Sequence, residues 1–130
     1  MTFNDLDLQH GPPSLPENDG GTPPPNEWYD SLRERTLEQL EAGDVARACR
    51  LGVHLDEMVP LSFELLEIAV AETGMYDGEL LLALLGISPA FWQQRDYLTQ
   101  QFKLMLQNGR DALPEEVPKI ARDFLIKVSR

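Results

Sequence analysis

Cysteine and histidine are almost missing from this 130-residue sequence: Cys49 is the only cysteine, and His10 and His54 are the only histidines. That rules out an intramolecular disulfide, a thiolate cluster and a zinc site built from Cys and His. Positive charge is also scarce, with 11 Lys and Arg against 22 Asp and Glu and a net charge of −11. Such a chain opposes the phosphate attraction that supplies most non-specific nucleic-acid affinity, and it is repelled by anionic membranes. No apolar run reaches the roughly 18 residues needed to span a bilayer. The opening Met1-Thr2-Phe3-Asn4-Asp5 has neither the basic region nor the apolar stretch of a secretory signal. A soluble, cytoplasmic protein that does not engage membranes is expected. No segment alternates between apolar and polar residues with hairpin turns at its ends, so no strand is expected.

Helix-forming sequence fills the rest. The apolar fraction is 42%, enough for an ordinary globular core, and leucine outnumbers the β-branched residues. The expected architecture is all-α, a small bundle of about five to six helices over residues 26–130, preceded by a disordered acidic tail over residues 1–25. Six of the ten prolines lie in that tail. Between Gly11 and Asn26 only Leu15 could be buried, which does not offset the entropy of ordering. At its tip, Phe3, Leu6 and Leu8 alternate with acids and could anchor a short docking motif.

Helix signals begin at Asn26 as N-cap, with Trp28, Leu32, Leu37 and Leu40 on one face. Gly43 is read as a stop, Asp44 as the next cap, and Pro60 as the first turn of a third, central helix. Asp77 caps a fourth over Leu80–Leu85, Ser88 caps a long fifth from Pro89 to about Asn108, and a last one follows Pro118. Leu65, Ile68, Leu82, Leu85, Leu98 and Phe102 are the expected core.

Chemistry is hard to place on this chain. His54, Asp56 and Glu57 are the one compact set of potential ligands, too few for a metal site, and the expectation is a solvated loop with no metal and no cofactor. Ser88 follows Gly86 without the second glycine of a nucleophile elbow. Cys49 has Arg47 and Arg50 nearby, which could lower a thiol pKa, but its helical position beside Ala48 reads as structural. An enzyme is not expected.

Charge is the clearest remaining signal. Residues 1–85 hold seventeen acids against four bases, a net of −13, while residues 86–130 hold five acids against seven bases, a net of +2. The first reading is therefore a small acidic interaction module: an adaptor, accessory subunit, chaperone or inhibitor that binds a protein partner through the partner's basic surface. Its candidate contact residues are Glu27, Asp30, Glu34, Glu38 and Glu41 on the first helix and the aromatic corner Phe91-Trp92. The second reading rests on Leu81-Leu82-Ala83-Leu84-Leu85-Gly86-Ile87-Ser88-Pro89, which resembles the helix-turn-helix of small bacterial repressors and antitoxins. That resemblance implies a DNA-reading helix in which Gln93, Gln94 and Arg95 face bases or phosphates. With the charge so negative, nucleic acid is not the expected partner.

Overall fold

A computed structural model describes residues 1–128. Those residues form eight α-helices and no strand, so the all-α expectation holds. They fall into two compact units, Met1–Glu41 and the remainder from Ala42.

In the first unit the expected disordered tail is replaced at its start by a helix. α1 (Phe3–His10) is closed by a capping box in which the Asp5 amide donates to Thr2 Oγ1 at 3.2 Å and the Thr2 amide donates to Asp5 Oδ2 at 2.9 Å. Phe3 and Leu6 are fully buried. The Phe3 ring stacks on Tyr29 of α2 (Pro25–Leu32), with centroids 4.9 Å apart. Amide bonds from Asn4 to the Arg33 carbonyl and from Leu37 to the Met1 carbonyl complete the attachment. An apolar residue every three positions in a polar segment was enough to order it, because Tyr29 gave it a surface. Residues 11–24 carry no helix and are mostly exposed. The helix expected to run from Asn26 past Leu40 stops at Leu32, and a 3-10 turn at Leu37–Gln39 follows.

The second unit is built on α3 (Ala42–Leu51), α4 (Leu55–Thr73) and α5 (Gly78–Leu85), with α3 packed against both others. Small residues allow the approach: Ala46, Ala48 and Cys49 of α3, Ser62 of α4 and Ala83 of α5 are all buried. Ser62 loses nothing by burial, since its hydroxyl donates to the Met58 carbonyl at 2.7 Å. Gly43 is not a stop, because it lies in the first turn of α3. Pro60 is not in the first turn either. α4 starts five residues earlier, after His54 in the left-handed region (φ 47°), and Pro60 sits inside it. Gly74, at φ 82°, ends the helix.

Each apolar helix buries a different stripe from the one expected. α4 buries Met58, Val59, Ser62, Phe63 and Leu66, leaving Leu65 half-buried and Ile68 52% exposed, so it is not an enclosed central helix. α5 buries Leu80, Leu81, Ala83 and Leu84, and leaves Leu82 and Leu85 half-buried. Leu98 is also half-buried, and of the six expected core residues only Phe102 is fully enclosed.

The long fifth helix is two helices, α6 (Pro89–Gln93) and α7 (Asp96–Asn108), broken where Arg95 takes an extended backbone (φ −134°, ψ 71°). Thr99 secures the break, its hydroxyl lying 2.5 Å from the Trp92 carbonyl and 3.0 Å from that of Arg95. The kink turns Trp92 into the core, where it stacks on Phe102 (5.1 Å) and meets Phe91 and Phe124 edge-on (5.4 Å each). Phe124 belongs to α8 (Val117–Val128), which packs against α5 and α6.

Candidate partner-binding surfaces

Each proposed contact residue has a definite place. Glu27, Asp30, Glu34, Glu38 and Glu41 are all exposed, but not as one helical face: two lie on α2, Glu34 in the turn after it, Glu38 in the 3-10 turn and Glu41 just before α3. Asp30 pairs with Arg33 at 2.9 Å. Glu27, Glu34 and Glu38 make no ion pair among the described residues. Their charges therefore face solvent uncompensated.

The aromatic corner is not a surface. Trp92 has no exposed area and Phe91 has 9%, so both rings are packed inside the fold. What covers Phe91 is the Arg95 guanidinium, 4.1 Å from the ring centroid. Asp56 of α4 holds that guanidinium through Nε at 2.5 Å and Nη2 at 3.3 Å, and this pairing raises the Arg95 pKa. Sequence alone could not find the pair, because its members are 39 residues apart.

Nor are the tail anchors free. Phe3 is stacked on Tyr29 of α2 and Leu6 is fully buried, and of the three only Leu8, 87% exposed, remains available. Asp7 accepts a hydrogen bond from the Tyr29 hydroxyl at 2.5 Å and lies 3.7 Å from Arg33. Burial, and then the Asp7 carboxylate, push the Tyr29 phenol well above its ordinary pKa.

The Gly86 turn joins α5 to the short α6 and not to the long helix expected there. Gln93 and Gln94 are exposed, but they close a five-residue helix, and Arg95 is committed to Asp56. The Gly86 turn has φ −84°, so glycine is not needed there for a left-handed conformation. Among the described residues no group of three or more His, Cys, Asp or Glu could hold a metal ion, and Asp56 and Glu57, expected in a solvated loop, lie in the first turn of α4, where Asp56 is the Arg95 partner. Cys49 is buried with its Sγ 3.6 Å from Ser62 Oγ, and burial outweighs Ser62 and Arg50 to push the thiol up to about 11. A buried thiol with a raised pKa packs as a small apolar side chain. No described helix is long and apolar enough to cross a membrane.

A family model described as CDI immunity proteins matches residues 11–102, more than two thirds of the chain. The chain belongs to this family. An immunity protein acts by binding another protein and inhibiting it, so of the expected adaptor, accessory subunit, chaperone or inhibitor, the family match supports a protein-binding inhibitor. No match was found among curated proteins or solved structures.

Proposed function

We propose that this CDI immunity protein neutralises a toxin protein by binding it and covering a basic surface of that toxin. The family match carries the reading, and the exposed, uncompensated carboxylates Glu27, Glu34 and Glu38 support the charge of the surface it covers. Exposed carboxylates of this kind act mainly on encounter: they draw a cationic partner in and set its orientation, which raises the association rate more than the final affinity. Inhibition is then steric and electrostatic, with no reaction and no cofactor on the immunity protein's side.

Affinity purification of the tagged chain from its native host, read by mass spectrometry, is expected to recover a toxin. Adding the purified chain to that toxin is expected to abolish its activity. Reversing Glu34 and Glu38 to Lys should slow association and flatten its salt dependence with little change in dissociation. A recovered toxin that stays active when saturated with the chain would refute the reading.

A further inference from the structure

The carboxylates of the first unit steer, but steering alone does not hold a complex together. A tight inhibitor also needs an apolar anchor that loses its water on binding. The second unit offers one between α4 and α7. Tyr97, Gln101, Leu104 and Asn108 are spaced i, i+4, i+7 and i+11 and form one exposed stripe of α7. Within it Tyr97 is 78% exposed and Leu104 54% exposed, so both large side chains are presented to solvent. A groove lined by Glu67, Gln101, Leu104, Met105 and Asn108, with Tyr76 among its walls, runs beside the stripe.

From α4, Glu67 lines the groove, and Glu64, Ile68 and Ala71 share its side of the helix by the same helical spacing, with Ile68 half exposed. α4 carries five acids and no Lys or Arg. Glu64 and Glu67 make no ion pair among the described residues, and Lys103, the only base of α7, is not on the exposed stripe.

We propose that this α4–α7 face is where the toxin seats, with an apolar side chain of the toxin between Leu104, Tyr97 and Ile68, and its Lys or Arg residues against Glu64 and Glu67. The occupant follows from charge complementarity. A second copy of this chain would bring Glu64 and Glu67 against the same carboxylates and pay for that repulsion, whereas a cationic toxin surface neutralises them. An exposed apolar stripe rimmed by one sign of charge is the arrangement in which anchor and selectivity sit together. The inference rests on the function proposed above and gives the site for it.

The test uses the full chain and the toxin recovered by affinity purification. Leu104→Ala and Tyr97→Ala are each expected to raise the dissociation rate tenfold or more; the melting temperature should stay nearly unchanged for Tyr97→Ala and fall only slightly for Leu104→Ala, because Tyr97 is mostly and Leu104 about half in water in the free protein. Glu64→Lys with Glu67→Lys should weaken binding further and reduce its salt dependence. This pattern separates the anchor from the steering carboxylates, whose reversal acts on association. If the toxin is recovered and inhibited but all these variants bind it as tightly as the wild type, the seat is elsewhere and this inference is wrong while the function stands. If Leu104→Ala dissociates a dimer and leaves toxin binding intact, the face belongs to a second copy and the inference is equally overturned. If no toxin is recovered, both fall.

Discussion

Replacing Trp92 with alanine separates a core residue from a contact residue. The side chain has no exposed area and touches the rings of Phe91, Phe102 and Phe124 at centroid distances of 5.4, 5.1 and 5.4 Å. A buried tryptophan removes about 150–250 Å² from water. At about 25 cal/mol per Å² this is about 4–6 kcal/mol, an upper bound because the denatured chain already hides part of that area. Aromatic-to-alanine changes in cores cost about 3–5 kcal/mol, since neighbours only partly fill the void. Against a total stability of about 5–15 kcal/mol, a substantial fraction disappears. For a chain of this size the melting temperature should fall by roughly 10–20 °C. Urea unfolding followed by far-UV circular dichroism reads the change without relying on the lost indole signal, while Trp92→Phe should recover much of it. The reasoning fails if Trp92→Ala unfolds within about 1 kcal/mol of the wild type yet loses its toxin. That result would make the side chain a surface anchor.

Three further outcomes follow from particular contacts. Leu81→Ala should cost about 2–5 kcal/mol and Leu82→Ala distinctly less, since Leu81 is fully enclosed and Leu82 half-buried; equal losses in urea titrations would return Leu82 to the core. Phe3→Ala should destabilise the first unit by about 3–5 kcal/mol and expose the 1–10 segment to protease, whereas unchanged proteolysis would mean that α1 is not anchored by its stack on Tyr29. Cys49 titrates near 9 when unfolded and near 11 when folded, so the unfolded chain loses its proton first as pH rises. Its contribution is intact below about pH 9 and declines towards pH 11 by roughly 2–3 kcal/mol, and Cys49→Ala should flatten that decline in denaturation curves taken across this range.

Periodicity in this chain revealed which segments are helical but not which face each one buries. The cap at Asp77 and the start at Ser88-Pro89 were both legible, because each is a local hydrogen-bond requirement. The buried stripes were not, since α4 and α5 are apolar around much of their circumference and several rotations bury similar area. What fixed the rotation was small residues meeting across helices, Cys49 opposite Ser62, which no single helix displays. The break at Arg95 was hidden for a similar reason. It depends on Asp56 holding the guanidinium and on Thr99 bonding back to Trp92, both tertiary contacts. Of the candidate contacts, the carboxylates were recognisable because charged side chains stay in water at the surface. The aromatic pair was not, because apolar residues serve a core and an interface equally well until the packing is known.

The same uncompensated charge couples stability to binding in opposite directions. Glu27, Glu34, Glu38, Glu64, Glu67 and Glu72 make no ion pair among the described residues, and the whole chain carries −11. In the free protein these carboxylates repel one another, so folding works against a self-repulsion that salt relieves. Raising ionic strength from about 0.01 M to 0.15 M shortens the screening length from about 30 Å to about 8 Å, which should raise the melting temperature of the free chain. The same screening removes the attraction to a basic toxin, so the association rate should fall over that range. A cationic partner relieves the repulsion more completely than salt does, and the complex should therefore melt higher than the free chain by the largest margin at low salt. Thermal melts and stopped-flow association measured in one salt series check all three. A free chain whose melting temperature falls as salt rises would mean that attractive pairs, such as Arg95 with Asp56, outweigh the repulsion, and that the acidic surface is electrostatically balanced where it stands.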